Sequence, residues 1–363
     1  MIDAKIRIVL TGGHAATPGI AVVEELMDRF GAQKVDISWI GSKTAIEGSK
    51  ILTIEYKIYP KIGVKFYSIK AGKLQTKFTR HTISSFLRIP YGFIQAFFIL
   101  LKIKPKVILS FGGYAAFPVV FCGWLLNIPV IIHEQTSTAG RSNLASVPFV
   151  NEITLARVSS EKMFNGKKTT VIGNPIMSSV VKIKPKTKLN FLPKILVMGG
   201  SRGSEFINEE VYKILPKLMK EYKVVHITGE RDFERYKSYE NSNYQVLPFV
   251  DPLEISKYYE MADLIISRSG ANTVSEILIT KIPSILIPLP RTYKDEQVKN
   301  AESAQDFGIA KMLLEKEVTE ISLLGEVKNI FENWSSIVKF VSTKKSPDVD
   351  ASKKLVEIVS KYI

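Results

Sequence analysis

The feature that most narrows the choice of fold occurs twice in the chain: a short apolar run, a pair of glycines, then an amphipathic stretch at helical spacing. Ile6–Leu10 leads into Thr11-Gly12-Gly13-His14, and about 190 residues later Lys194–Met198 leads into Gly199-Gly200-Ser201-Arg202-Gly203-Ser204. A run that is apolar at successive rather than alternate positions suits a strand covered on both faces, as in the interior of a parallel sheet. Glycines at the turn let backbone N–H groups and the positive end of the next helix face whatever sits above the sheet edge. After the first copy, Pro18 stands near a helix start and Ile20, Val23, Leu26 and Met27 share one face. Taken singly such a turn is common, but two copies so far apart predict two Rossmann-like halves in an α/β chain.

The rest of the chain divides accordingly. We expect a first domain over 1–177, a Lys- and Pro-rich linker over 178–193, and a second domain over 194–346. The tail, 347–363, reads as a helix with Leu355, Ile358, Val359 and Tyr362 along one apolar face, packing back on the first domain. With 363 residues there is material for two cores.

Charge is distributed unevenly. Of the net +15, the first 150 residues carry 18 Lys/Arg against 8 Asp/Glu, and between Tyr56 and His133 there is no carboxylate while 11 lysines and arginines fall there. A face of one sign attracts anionic lipid, polyphosphate or nucleic acid. No recognisable nucleic-acid module accompanies it, so nucleic acid is not an expected partner. The single cysteine, Cys122, leaves no disulfide and no Cys/His cluster for zinc, and no metal or cofactor is expected. The opening MIDAKIRIVLTGG is already strand and turn rather than a signal peptide. Val107–Ile132 is uncharged and long enough to span a bilayer, yet Gly112-Gly113, Pro118, Asn127 and Pro129 divide it into strand, turn, helix and strand.

Candidate site residues lie where buried runs end in polar turns. Gly112-Gly113-Tyr114 follows VILSF, and His133-Glu134 opens HEQTSTAGRSN, which includes Asn143; both turns should emerge at the sheet edge that carries Gly12-Gly13-His14. In the second half, ADLIIS leads into Arg268-Ser269-Gly270 and a helix bearing Thr273 and Glu276. The turn suits an anion, and a carboxylate one turn into the helix suits a pair of sugar hydroxyls, to which it can offer two charge-assisted hydrogen bonds.

SRSGANTVSEI, PSILIPLP and DEQVKNA, with GNP at Gly173–Pro175, GGSRG at Gly199–Gly203, H-x-TG at His226–Gly229 and PFVD, resemble in order the MurG family. These enzymes add N-acetylglucosamine to the lipid-linked precursor of peptidoglycan. The resemblance implies the GT-B fold, two Rossmann-like domains facing a cleft, and an inverting transfer from UDP-N-acetylglucosamine to the C4 hydroxyl of a polyprenyl-pyrophosphate-linked N-acetylmuramyl peptide. It implies that Phe249 and Val250 take the uracil and that Glu276 takes the ribose. Gly200, Ser201 and the turn of Ser269 and Gly270 would take the diphosphate, Glu296 and Gln297 would face the sugar, and Thr273 is a further donor-side residue. Arg202 is a further donor-side cation. On the acceptor side it implies Gly12, Gly13, His14, Gly112, Gly113, Tyr114, His133, Glu134 and Asn143. His14, an imidazole whose ordinary pKa lies near neutrality, is the leading general base, with Glu134 and His133 as alternatives, His133 more as a structural or acceptor-binding residue. The chain departs from the family pattern at its first loop, with a single Gly-Gly pair and Pro18 four positions after His14, and at Ala116, Thr136 and Met177.

A lipid-linked acceptor implies a peripheral enzyme on the cytoplasmic face of the membrane. Lys73, Lys77, Phe78, Arg80 and Arg88 have the mixed basic and apolar character of an interfacial segment. The competing readings are a relative with another lipid acceptor, a UDP-N-acetylglucosamine 2-epimerase, or a binding protein without turnover.

Overall fold

The computed structural model describes residues 5–44, 51–71, 80–200 and 203–363, and for 80–89 the backbone alone. Ser201, Arg202, Lys73, Lys77 and Phe78 therefore lie outside the described residues, as do the side chains of Arg80 and Arg88.

The chain separates into two compact units, one formed by residues up to Met177 with Asp350–Ile363, the other by Ser178–Val349. In the first, β1 (Ile6–Thr11), α1 (Ala16–Phe30), β2 (Val35–Gly41), α2 (Ile54–Ile58), β3 (Lys65–Ser68), α3 (Arg80–Ile103), β4 (Val107–Ser110), α4 (Ala116–Leu125), β5 (Val130–Glu134), α5 (Arg141–Ser146), β6 (Glu152–Leu155) and β7 (Thr170–Val171) follow one another. They build a parallel sheet of order β3-β2-β1-β4-β5-β6-β7. The uncharged stretch 107–132 is thus strand, helix and strand within this sheet. Among the described residues no helix is long and apolar enough to cross a membrane.

The second unit runs α6 (Ser178–Val181), β8 (Lys194–Met198), α7 (Glu205–Leu218), β9 (Lys223–Ile227), α8 (Phe233–Lys237), β10 (Tyr244–Leu247), α9 (Ile255–Met261), β11 (Leu264–Ser267), α10 (Ala271–Thr280), β12 (Ser284–Leu286), α11 (Glu296–Phe307), β13 (Ala310–Met312), α12 (Glu320–Glu332) and α13 (Trp334–Ser342). Its sheet, also parallel, has the order β10-β9-β8-β11-β12-β13. The last helix, α14 (Ala351–Ser360), belongs to the first unit, where it packs on α1 with Leu355 and Val359 fully buried. It is shorter than the apolar spacing suggests, since residues 347–350 form a turn before it.

Both glycine-bearing strands occupy the same place in their sheets. β1 and β8 are central, and Ile8, Val9, Leu10, Ile195, Leu196 and Val197 have no exposed surface, which accounts for their unbroken apolar runs. On each strand's other side lies the strand that reverses the direction of winding, β4 beside β1 and β11 beside β8. Such a switch point opens a crevice at the carboxyl ends of the strands, where ligands of open α/β sheets bind. The stretch read as a linker is fastened to the second unit: buried Asp263 accepts from Lys186 Nζ at 2.9 Å, Asn190 Nδ2 at 2.6 Å and Lys194 N at 2.8 Å.

Candidate active site

At the first switch point the loops after β1 and β4 meet backbone to backbone, and α5, which follows β5, reaches them through side chains. Gly13 N donates to Gly112 O at 2.9 Å, and a Cβ added to Gly113, at φ 92°, would stand 2.8 Å from Gly13 N. Ser142 Oγ donates to Gly113 O at 2.8 Å, and the Asn143 side chain fills the space beside Gly112. The sequence-chosen residues Gly12, Gly13, Gly112, Gly113 and Asn143 are therefore brought together, with Tyr114 half-buried next to them. His14 is exposed at the loop apex with a left-handed φ of 61°, a conformation unfavourable for a residue with a Cβ. The next residue is anchored by Ala15 N donating to buried Glu55 Oε1 at 2.9 Å.

Glu134 and His133 are differently placed. Glu134 is 3% exposed, and both its oxygens are engaged. Oε1 accepts from Thr136 N at 3.1 Å and Thr136 Oγ1 at 2.8 Å, while Oε2 accepts from Gly140 N and Asn143 Nδ2, each at 2.8 Å. Burial raises its pKa, and these four bonds oppose the rise. The carboxylate thus organises the loop, and Thr136 joins that network. Fully buried His133 meets Thr154 Oγ1 through Nδ1 at 3.0 Å, and the Thr154 hydroxyl also lies 3.1 Å from Ile132 O. Burial drives the His133 pKa down to about 3, the neighbouring Asn174 opposing and Arg157 adding to the fall. It is a neutral packed imidazole.

At the second switch point the glycines fall into two kinds. A Cβ on Gly199 would stand 2.1 Å from Ser204 N, and one on Gly203 2.0 Å from Thr228 O; these two allow the loop to close on itself. Among the described residues, Gly200, at φ 79°, and Gly270 have nothing within 4 Å of an added Cβ. One follows β8 and the other follows β11, so both stand at the carboxyl ends of the two strands that flank the crevice. Gly270 also precedes α10, whose first N–H groups lack intrahelical acceptors and carry the positive end of its dipole. Thr273 is half-buried in that first turn.

Glu276 lies further along α10, 5% exposed, and its Oε2 accepts from Tyr259 Oη at 2.6 Å. Burial raises its pKa to about 7 against the opposing Tyr259 bond. Ser269, buried, donates from Oγ to Gln297 O at 2.7 Å, and Gln297 Oε1 accepts from Leu289 N at 3.0 Å, which joins the β11 and β12 loops to α11. Glu296 and Gln297 are half-buried in the first turn of α11, as are Phe249 and Val250 in the loop after β10.

Two residues of this half were named in sequence only as parts of a turn and a motif, with no role assigned to them. Arg268 is 8% exposed; its Nε donates to Ser204 Oγ at 3.0 Å, Nη1 to Ile287 O at 3.2 Å, and Nη2 pairs with Glu315 at 2.6 Å. It holds the β8, β11 and β12 loops in one arrangement. His226, buried, reaches Asn208 Oδ1 at 3.0 Å and Tyr244 Oη at 2.9 Å. Because Asn208 Nδ2 donates to Thr228 O and Asp232, Oδ1 must accept, so His226 Nε2 carries the proton and Nδ1 accepts from Tyr244. Only the HxTG spacing pointed to it.

Comparison with known proteins agrees over the length of the chain. Residues 9–155 match the glycosyltransferase family 28 N-terminal domain and residues 194–356 the glycosyltransferase family 28 C-terminal domain. A Bacillus cereus protein named UDP-N-acetylglucosamine–N-acetylmuramyl-(pentapeptide) pyrophosphoryl-undecaprenol N-acetylglucosamine transferase 2 is 34% identical, over 90% of this chain and 92% of its own. A Clostridium kluyveri transferase of the same name, without the numeral, is 32% identical over 98% of this chain and 99% of its own. Among solved structures, Acinetobacter baumannii MurG superimposes with a TM-score of 0.72 at 24% identity, covering 98% of this chain and 99% of that one.

Proposed function

We propose the function that follows from a settled premise, that this chain belongs to the MurG family of glycosyltransferase family 28. It transfers N-acetylglucosamine from UDP-N-acetylglucosamine to the lipid-linked N-acetylmuramyl-pentapeptide of peptidoglycan synthesis. The observation that carries the donor assignment is the pair of glycines, Gly200 and Gly270, which among the described residues meet nothing on either side of the second switch point, with the carboxylate of Glu276 on the helix that starts there. Small residues admit a diphosphate to the backbone, the α10 N-terminus meets its charge, and Glu276 receives the ribose hydroxyls. Phe249 and Val250 face the uracil, and Glu296 and Gln297 the sugar hydroxyls.

In the reaction, the C4 hydroxyl oxygen of the acceptor bonds to the anomeric carbon on the face opposite UDP. The bond from that carbon to the diphosphate oxygen breaks, and UDP leaves with the electron pair. His14 takes the hydroxyl proton, since it is the exposed member of the acceptor-side set, whereas His133 is sealed and Glu134 is occupied by four hydrogen bonds. N–H donors of the α10 turn stabilise the charge that develops on the leaving diphosphate.

The acceptor's lipid places the enzyme peripherally at the cytoplasmic face of the membrane. What supports a docking surface is a stripe on α3: Tyr91, Ile94, Phe98 and Leu101 recur on one helical face and are exposed, Phe98 by 65%. Lys102, Lys104 and Lys106 are exposed at the end of the same helix, and Trp124 and Leu125 are exposed on the adjacent α4. Aromatic and aliphatic side chains rimmed by lysines suit an anionic interface. This stripe lies just beyond the segment chosen from sequence.

The deciding measurement is UDP release from UDP-N-acetylglucosamine with and without a lipid-linked N-acetylmuramyl-pentapeptide analogue, with UDP-glucose as control donor. Release that requires both the acceptor and the N-acetyl sugar is expected. Donor binding without acceptor-dependent release overturns the acceptor assignment, and N-acetylmannosamine formed from the donor alone identifies an epimerase.

A further inference from the structure

Tyr259 stands at the end of α9 with 1% of its surface exposed, and its hydroxyl lies between two elements of the second switch point. It donates to Glu276 Oε2 at 2.6 Å and lies 3.9 Å from Met198 Sδ, at the end of β8. Among the described residues it is the one hydrogen-bond partner of the Glu276 carboxylate. The terminal torsion of a glutamate is broad and roughly two-fold, so a carboxylate in a pocket with no directed partner samples a range of orientations. A short bond from a fixed phenol to one oxygen removes that freedom and selects which oxygen remains for a ligand.

We propose that Tyr259 is a positioning residue for the donor: its hydroxyl fixes one oxygen of Glu276 so that the other is presented to the ribose hydroxyls of a nucleoside diphosphate sugar. This rests on the assignment of Glu276 to the ribose made above. The phenol is held as a donor throughout, because burial and then the neighbouring Glu276 push its pKa well above the ordinary value. Buried as it is, it acts only through the carboxylate. Recognition of the ribose therefore extends to a side chain that precedes β11, outside the motif that carries Glu276.

The test is a double-mutant cycle on the full chain, with initial rates at saturating acceptor analogue and varied UDP-N-acetylglucosamine. Tyr259→Phe keeps the ring and removes the donor, and Glu276→Ala removes the carboxylate. Expected are a rise in donor KM of about tenfold for Tyr259→Phe, in line with a hydrogen bond to a charged group, and a kcat within about twofold of the parent. In the Glu276→Ala background, Tyr259→Phe should have no further effect on KM. Donors lacking the ribose 2′- or 3′-hydroxyl should lose less affinity in Tyr259→Phe than in the parent. An unchanged KM in Tyr259→Phe alongside a raised KM in Glu276→Ala overturns the positioning role but leaves the ribose assignment standing. Full additivity of the two substitutions overturns it too, as does a joint decline of kcat, KM and melting temperature, the signature of a packing role. If Glu276→Ala itself leaves KM and the deoxyribose penalty unchanged, the ribose assignment is what has failed.

Discussion

A carboxylate sealed beside a phenol has a cost that changes with pH. Burial lifts Glu276 to about 7 from an ordinary 4.5, so the folded, ligand-free protein keeps a proton that the unfolded chain has released. Folding is therefore favoured by this group below about pH 4.5, and the advantage is lost as pH rises through about 7. Glu276→Gln has no such titration, so its melting temperature relative to the parent should climb between pH 5 and pH 8; a constant difference would refute the assignment. Ribose hydroxyls donate to the ionised form, so donor KM should fall over the same interval in the parent and stay level in the variant. His14→Ala should lower kcat by about 10²–10⁴-fold, the range for loss of a general base, with UDP binding retained in calorimetry. The places of the glycine turns, His14 and Glu276 after the carboxyl ends of strands were legible in sequence because each sits at a fixed offset from a strand end. The partners Glu55 of Ala15, Glu315 of Arg268 and Tyr259 of Glu276 were not, since each is set by tertiary placement and leaves no local spacing. Glu134 shows the converse: a carboxylate in a polar turn looks catalytic in sequence, and only the geometry reveals Thr136, Gly140 and Asn143 around it.

Among elements, the turns and the strand that the 178–193 stretch docks on are the sensitive places. Gly113→Ala would put a Cβ 2.8 Å from Gly13 N at a φ of 92°, which forces the β1 and β4 loops apart. The variant should fold with reduced stability and lose most of its transfer activity while binding UDP as the parent does, measured by melting temperature, turnover and calorimetry. Asp263→Ala leaves the Lys186 ammonium, the Asn190 amide and Lys194 N without their common acceptor. Breaking a buried ion pair from one side costs about 3–5 kcal/mol, so urea unfolding should show a loss on that order. Strand positions were legible because a strand buried on both faces is apolar throughout; helix ends were less so, as with the tail, because burial continues past the last residue that keeps helical dihedrals.

For the whole molecule, the sequence announced two sheets through its repeated opening, and a basic first half through its charge. It did not show where apolar surface stays uncovered, because Tyr91, Ile94, Phe98 and Leu101 read like any core-facing stripe until the neighbouring elements are in place. Ile94→Glu with Phe98→Glu should weaken sedimentation with vesicles containing anionic lipid by about tenfold or more, given the cost of removing two apolar anchors and adding two negative charges. Turnover of a short-chain, water-soluble acceptor analogue should be unchanged. Equal loss in both assays would mean the stripe belongs to the folded core.

The return of α14 to α1 also bears on how the chain comes off the ribosome. Arg29 and Ser360, in hydrogen-bond contact at 3.4 Å, are 331 positions apart. Everything between Met177 and Asp350 must be synthesised before the first-made unit receives its last helix, a wait on the order of ten seconds or more at about 5–20 residues per second. During that interval the nascent first unit presents the apolar side of α1 that Leu355 and Val359 will later cover, so the portion synthesised first is the portion completed last.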